Sequence, residues 1–493
     1  MSSTVTAQIN QLHKVISEPS SLLDRWDVAC DKPGTTTESL DRIYADPSLL
    51  AVGKPQLIPG TCDLIIDIGG TGTKYSIRTV AEDGQTVTWT KPVVILNESI
   101  QTEAEQQNSD FLFDGYLQVV MKKIIQDLKI DPHDVIGLGV IWSNRMDPID
   151  LDPIENEGLF GIGAVVPIDC EFSKGEFFTT DGKLQGKDIS KIILNAAEQA
   201  GFDNVTTIAI SNDTVFTANA IPNDYLSEYP IKSVGGLIAS TGTNTTVLID
   251  SLLRNAECGV GLHIPDQYLT HIEKTFIHNF DGHVANLKEL GIFNWFKDFR
   301  GVYEFEDAPN IAGLRAQELT GGGFIPGWFA LNLAYHLGLF DDNNPITSIS
   351  KFSSFSKNLT SKLVMDLAEG KSLDALDVLD IPSDKIDSII ELANAFATRT
   401  TTIIAMLTVI SGREPNLIKG QEHIQSVIVQ DSQVLRGRSQ FQNLLDDIVY
   451  NETFGDIQAL PVQEVKVADS VVSVPSMGAA NTLDILRANF LLW

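Results

Sequence analysis

A carboxylate followed by a turn of small donors is the first place where this chain could do chemistry. In Asp63-Leu-Ile-Ile-Asp67-Ile-Gly69-Gly70-Thr71-Gly72-Thr73-Lys74 an apolar strand runs into Asp67 and then into the turn. Glycines at 69, 70 and 72 let consecutive N–H groups converge on an anion with no Cβ in the way, and Thr71 and Thr73 add hydroxyl donors. Asp67 suits a hydrated Mg²⁺ that bridges phosphate oxygens. The same residues also suit an ordinary hairpin turn.

Three more strand ends turn polar. Ile208-Ala-Ile-Ser-Asn212-Asp213-Thr214-Val215 ends in a carboxylate flanked by an amide and a hydroxyl. Gly236-Leu-Ile-Ala-Ser240-Thr241-Gly242-Thr243-Asn244-Thr245 enters a second phosphate-friendly turn, and Gly137-Leu-Gly-Val-Ile-Trp142-Ser143-Asn144 brings another strand to a polar end. Singly each has a plain structural use: a strand-end Asp such as Asp213 caps the next helix, and turn threonines satisfy themselves locally. Their order along the chain carries the weight.

The elements that must position these groups follow from apolar periodicity. After residues 1 to 60, a short helical pattern with turns, strands are predicted at 63 to 68, Thr86 to Leu96, Val135 to Trp142, Thr206 to Ile210 and Val234 to Ala239. Phe113, Leu117, Val120, Ile124 and Leu128 share one helical face, as do Ile189, Ile192, Ile193, Ala196 and Ala200. Strands alternating with amphipathic helices predict mixed or parallel sheets covered by helices. From about 260 to 420 the patterns are mostly helical, and Ile386 to Ile410 reads as a buried helix. Strand signals return at Ser426 to Val429 and Val462 to Val467, and a last helical segment runs to Trp493.

Composition bounds the partners. With 35 basic and 65 acidic side chains the formal charge is -30, a surface that repels nucleic acid and anionic lipid while leaving room for a local phosphate pocket. Cysteines at 30, 62, 170 and 258 form no close pair and no metal-ligand spacing, and the eight histidines include no HExxH. No secretory signal opens the chain and no run approaches the ~18 apolar residues of a membrane span. A reducing cytoplasm is the expected compartment. A P-loop is excluded: Gly182-Lys-Leu-Gln-Gly186-Lys187-Asp188 has the wrong residue after its lysine.

On these residues the chain resembles the hexokinase family of the actin-like sugar kinases. The resemblance rests on DIGGTGTK at 67 to 74, NDTV at 212 to 215, STGTN at 240 to 244 and RTTTIIAML at 399 to 407. It implies an α/β fold of two actin-like, RNase H-like domains flanking a cleft. The smaller would comprise 63-213 plus 479-493 and the larger 1-62 plus 214-478. It implies ATP as co-substrate with Mg²⁺, phosphorylation of a hexose hydroxyl in glycolytic carbohydrate metabolism, and a sugar and a nucleotide as partners, with a homodimer allowed. Asp213 would be the general base and Lys174 the cation for developing charge. Ser143, Asn144, Ser173, Lys174, Asn212, Asp213, Asn244, Asp266 and Glu318 would hold the sugar. Asp67, Gly69, Gly70, Thr71, Gly72, Thr73, Lys74, Thr241, Gly242, Ser432 and Gly478 would hold the nucleotide, and Asp67 the metal through water.

The chain also departs from that pattern. The family's Ser-Phe-Pro segment reads Ser143-Asn144-Arg145, and the link from 145 to 172 is long. Two expected sugar-binding glutamates are replaced by Asp266, shifted, and by Glu318 or Gln317 nearby. The adenosine-side glycine segments are reduced to Gln430-Asp431-Ser432 and Val474-Pro475-Ser476-Met477-Gly478-Ala479-Ala480. The competing expectation is a catalytically weak, hexokinase-like protein that binds sugar and regulates.

Overall fold

Successive residues of a strand point to opposite faces, so a strand covered on both sides must be apolar at nearly every position. The central strands here are of that kind. The computed structural model describes residues 3–17, 19, 22, 42–43, 57–69, 72–97, 99–100, 112–142, 146–151, 158–168, 184–221, 233–240, 242–249, 252–255, 259, 262–278, 314–322, 325–338, 359–372, 383–412, 426–432, 434–461 and 465–490.

In chain order, helix α1 (Ser3–Ser17) and the short β1 (Arg42–Ile43) precede β2 (Cys62–Ile68), β3 (Gly72–Val80), β4 (Val87–Trp89) and β5 (Val93–Leu96). Helix α2 (Leu112–Leu128) leads to β6 (Gly137–Trp142), β7 (Asp147–Leu151) and β8 (Phe160–Val165), then α3 (Ile189–Gln199), β9 (Thr207–Ser211) and α4 (Asp213–Ala218). The next strands are β10 (Ser233–Ala239), β11 (Thr243–Ile249), β12 (Leu252–Asn255) and the two-residue β13 (His263–Ile264). After α5 (His271–His278) come β14 (Leu314–Arg315), α6 (Ala316–Thr320), α7 (Ile325–His336), α8 (Ser361–Ala368) and the long α9 (Ile386–Ser411). β15 (Ser426–Ser432), α10 (Ser439–Thr453), β16 (Ile457–Pro461), the hairpin β17 (Val465–Val467) and β18 (Ser470–Val472), and α11 (Val474–Phe490) close the chain.

Two sheets repeat one plan. The eight-stranded sheet contains the order β4-β3-β2-β6-β9, and the six-stranded sheet contains β12-β11-β10-β15-β16. In each, the first three strands pair antiparallel and the last three parallel. Parallel pairing brings strand ends to one edge: Ile68 lies beside Trp142, and Ile141 beside Ser211. In the second sheet Ala239 lies beside Ser432.

Alternation then divides the core. Leu64, Ile66, Leu138, Val140, Ile208 and Ile210 enter one apolar cluster, with Phe113, Leu117 and Val120 from α2 and Ile189 and Ile193 from α3. Ile65, Ile141 and Ala209 face the other way, into a cluster shared with α4, with Ala479 and Leu483 of α11, and with Val427 and Val429 of the second sheet. Helices α4 and α11 therefore form the middle layer that both sheets cover. Each fully buried Leu or Ile contributes roughly 1.5–3 kcal/mol to that assembly.

From Ala395 onward helix α9 is almost wholly buried, in the third cluster, while its first turns carry the exposed Asp387 and Glu391. Its many threonines are tolerated because they bond back one turn: Thr401 to Ala397, Thr402 to Thr398 and Thr408 to Ile404, at 2.8–2.9 Å. Buried Arg399 is held by both oxygens of buried Glu273, at 2.8 and 2.9 Å. Among the described residues one helical run, Ser383–Ser411, is long and apolar enough to cross a membrane, and 89% of its apolar window is buried inside the protein.

The expected elements appear with adjustments. The run Thr86 to Leu96 is two strands, broken at Lys91-Pro92, where proline has no N–H to give a ladder. Strands β3, β7, β8, β11, β12, β16 and β18 escaped the periodicity, as did the two-residue β1, β13 and β14. In β8 the reason is visible: Gly161 lies against the Ile208 carbonyl and Gly163 against Ser190, and glycine erases the apolar alternation. Of Val462 to Val467, the described part forms β17, and 462–464 lie outside the described residues. Cys62 is a free thiol; Cys30, Cys170 and Cys258 also lie outside.

Candidate functional site

The first turn closes an antiparallel hairpin whose last pair is Ile68 with Thr73. The plainer expectation, a hairpin turn, therefore holds at the place where a phosphate cradle would sit. Gly69 donates its N–H to the Gly72 carbonyl at 3.0 Å, so that donor serves the hairpin and not an anion. Gly72 lets β3 approach β5, since a Cβ there would meet the Ile95 carbonyl at 2.7 Å. Asp67 lies at the end of β2, with the Lys74 ammonium 3.7 Å away and half exposed.

Thr73 requires a correction. Neighbouring strand residues alternate, so with Lys74 outward Thr73 points inward; it is fully buried, and its hydroxyl bonds that of Tyr116 on α2. Tyr116 donates to the Asn97 side-chain oxygen at 2.9 Å, and Asn97 donates to the Gly69 carbonyl at 3.1 Å. Burial pushes the Tyr116 hydroxyl up to about 12, although the Thr73 hydrogen bond pulls the other way. Neither Asn97 nor Tyr116 stood out in the sequence. The available signal was a phenol within the apolar face of α2.

Asn212 and Asp213 divide the next strand end between them. Asn212 is the helix N-cap, its side-chain oxygen accepting from the Thr214 N–H at 3.0 Å and the Thr214 hydroxyl at 2.7 Å. The expectation that Asp213 might only cap is corrected: Asp213 is the first helical residue, partly exposed, with one carboxylate oxygen 2.8 Å from the Thr214 N–H. Asn212 is nearly buried, and its carbonyl oxygen is engaged by the cap. Helix α4 is gripped on two sides. A Cβ at Gly236 of β10 would meet the Thr214 carbonyl, and one at Gly478 of α11 would land on the Phe216 carbonyl. Gly478 thus serves helix packing, a correction to its expected nucleotide contact.

The second turn joins β10 to β11, with Ser240 donating to the Gly242 carbonyl at 2.9 Å. Helix α6 supports it: the Thr320 hydroxyl bonds that of Thr243 at 2.7 Å, and Gln317 lies against Gly242 and Gly259. Glu318 is fully buried, and the Gln317 side chain lies against Gly242 of this turn. Asn244, partly exposed on β11, accepts from the Thr245 N–H at 2.7 Å. Asp266 opens a short 3₁₀ turn, Asp266–Tyr268, and is partly exposed.

Beside that turn, at the end of β15, Asp431 is nearly buried and pairs with Arg436 at 2.7 Å. Burial raises its carboxyl, against the pull of Arg436 and Lys74 and with the push of Asp213. Lys74 and Asp213 lie at strand ends of the first sheet and Asp431 at a strand end of the second, so charged groups of the two sheets come within electrostatic reach. Next to Asp431 a cavity of about 480 Å³ is lined by Gln430, Ser432, Arg436, Gln442, Val474 and Met477. Both segments expected on the adenosine side meet there. The Ser432 hydroxyl oxygen accepts from the Leu435 N–H at 3.1 Å.

Gly70, Thr71, Ser143, Asn144, Ser173, Lys174 and Thr241 lie outside the described residues. Among the described residues no three His, Cys, Asp or Glu side chains cluster as a metal cage. A lone strand-end carboxylate such as Asp67 still fits Mg²⁺, which commonly takes one or two carboxylates and completes its shell with water and substrate phosphate.

Two sheets of one plan joined through α4 and α11 give this chain a hexokinase-type α/β fold. No protein-family model and no curated protein matches the chain. In structure the chain is similar to a hexokinase from Schistosoma mansoni complexed with glucose, with TM-score 0.61 and 14% identity over 97% of this chain and 98% of that one. A second hexokinase crystal structure matches with TM-score 0.58 and 14% identity over 98% and 97%. At this identity the likeness is one of fold.

Proposed function

We propose that the chain is an ATP-dependent hexose kinase that transfers the γ-phosphoryl group to a sugar hydroxyl, the 6-OH of glucose or a related hexose. The observation that supports this reading is that Lys74 and the partly exposed Asp213 of the first sheet come close enough to Asp431 of the second to act on its carboxyl, with Asp67 3.7 Å from Lys74. The sugar oxygen attacks the γ-phosphorus, the bond to the β,γ-bridging oxygen breaks, ADP leaves, and Asp213 accepts the hydroxyl proton. Mg²⁺, when bound with the nucleotide near Asp67, supplies charge neutralisation. Lys174, Ser143, Asn144, Ser173, Asn244 and Asp266 are proposed to hold the sugar, and Thr71 and Thr241 the phosphates. The first sheet with the C-terminal helix would form the smaller body, 63-213 plus 479-493, and the rest the larger, although a boundary at 479 falls inside α11.

A second reading is a sugar-binding regulator with weak catalysis. Three nucleotide-side groups favour it: the Thr73 hydroxyl faces the core, the Gly69 N–H closes the hairpin, and Gly478 packs on α4. An ADP-release assay over hexoses, aminosugars and sugar phosphates with Mg²⁺-ATP, run beside direct sugar-binding titrations, separates the two. Turnover that depends on Asp213 supports the kinase. Sugar binding without turnover on any sugar supports the regulator.

A further inference from the structure

The second sheet ends in an open edge. β16 pairs with β15 on one side, and among the described residues no strand pairs with its other side. Ser426 donates to the Asp456 carbonyl at 2.9 Å, which with the parallel register turns the main chains of Gln458 and Leu460 towards β15. The N–H and C=O of Ala459 between them therefore point outward. Between this edge and α10 runs a groove of about 470 Å³, lined by Asp446, Asp447, Tyr450, Gly455, Ile457 and Ala459.

The helix wall of the groove is aromatic and acidic. Residues four apart share a helix ridge, so Asp446 and Tyr450 lie in line, and Phe454, the left-handed C-cap, follows them. Tyr450 is 65% and Phe454 86% exposed, a contiguous aromatic surface of the kind that marks interaction sites. The Tyr450 ring is backed by main chain, since a Cβ at Gly455 would meet it at 3.0 Å. Asp446 and Asp447 are both exposed, and α10 contains no lysine or arginine. Gln442 donates to Asp446 at 3.0 Å, and among the described residues neither carboxylate makes an ion pair.

This chemistry selects the occupant. Outward main-chain groups on a sheet edge take an extended segment, and adjacent carboxylates beside an exposed tyrosine ring take guanidinium or ammonium groups. A second copy is disfavoured, because a two-fold contact would set this acidic wall against itself on chains of charge -30. We propose that the groove between α10 and β16 docks an extended, arginine- or lysine-bearing segment of a partner protein, which adds a strand to β16 and lays its cations on Asp446, Asp447 and Tyr450. The groove shares no lining residue with the cavity beside Asp431, so it stands whether or not the kinase reading holds.

The test is fluorescence anisotropy of the intact protein with a short labelled peptide that alternates arginine and valine. Asp446→Asn combined with Asp447→Asn is expected to weaken binding about tenfold, and Tyr450→Ala about fivefold. Glu82→Gln combined with Glu198→Gln removes the same charge from exposed positions elsewhere and should stay within about twofold of wild type. Methylating alternate main-chain nitrogens of the peptide, with its charge unchanged, should cost about tenfold, and bound peptide should slow hydrogen exchange at Ala459. If Tyr450→Ala fails to fold, the exposed Asp446 and Asp447, whose replacement leaves the core untouched, decide. Equal weakening in the two double variants, or an unprotected Ala459, means diffuse attraction to an acidic protein and overturns the proposal. So does an arginine–valine peptide that does not bind, or a glutamate–valine peptide that binds equally well. A dimer in sedimentation that Tyr450→Ala and Phe454→Ala dissociate would give the face to a second copy and likewise overturn it.

Discussion

Asn212 and Asp213 are adjacent, yet the backbone gives them different work. Asn212 is extended and caps α4, while Asp213 is inside the first turn and partly exposed. Removing a cap costs about 1 kcal/mol, whereas removing a general base costs about 10²–10⁴ in rate. Asn212→Ala is therefore expected to lower unfolding free energy in urea by about 1 kcal/mol. Asp213→Ala should leave stability and sugar affinity close to wild type and lower kcat about 10²–10⁴-fold. Undiminished activity in Asp213→Ala would remove it as the base. That an Asn-Asp pair ends a strand was legible in the sequence. Which of the two caps was not, because the choice depends on a φ,ψ value rather than on residue type.

At the scale of elements, α4 carries Asp213 and is closely confined. Gly236 and Gly478 let β10 and α11 approach its backbone from two directions. A methyl at Gly478 meets a main-chain carbonyl, which cannot rotate away as a side chain can. Gly478→Ala is expected to cost about 1–3 kcal/mol, the range for overpacking, read as a lower denaturation midpoint with an unchanged m-value. An unchanged midpoint would mean that α11 does not bear on α4. In sequence Gly478 looked like a remnant of a nucleotide segment, because glycine serves close approach to a ligand and close approach to a helix equally well. Only the neighbour distinguishes the two uses.

Across the whole molecule, the C-terminal helix is joined to the first sheet by a buried cluster. Arg78 bonds Asp63 and Asp484, with 2.6 Å contacts to both Asp484 oxygens, and Arg487 bonds Asp63; all four side chains are at most 4% exposed. Burial works to raise the Asp63 carboxyl, but Arg78 and Arg487 outweigh it and hold it below the usual carboxylate range. A folded value below the unfolded ~3.9 means that its stabilisation is whole above about pH 4 and is lost as pH falls through the folded value. Asp484, raised chiefly by burial, contributes in the opposite sense. Asp63→Asn is expected to cost about 3–5 kcal/mol at neutral pH, with the gap from wild type narrowing below about pH 4, as urea titrations at several pH values would show. A gap independent of pH would argue against the paired carboxylate.

Closure of the two edges on sugar would bring Asp67, Asp213 and Asp431 together and exclude water. Small-angle scattering should show a smaller radius of gyration at saturating glucose; an unchanged profile counts against closure.

By itself the sequence determined several apolar strands, their polar ends and the order of those ends, because periodicity and residue type are local properties. The motifs at those ends, through their resemblance to the hexokinase family, supplied the expected fold and Asp67 and Asp213 as candidates. Only the tertiary structure decided that Thr73 turns inward, that the Gly69 N–H closes the hairpin, that Gly478 serves packing, that Gln317 lies against the second turn, and that Asn97 bonds Tyr116 and the Gly69 carbonyl. Each of these depends on which face of an element meets a partner far along the chain, and no local pattern encodes that.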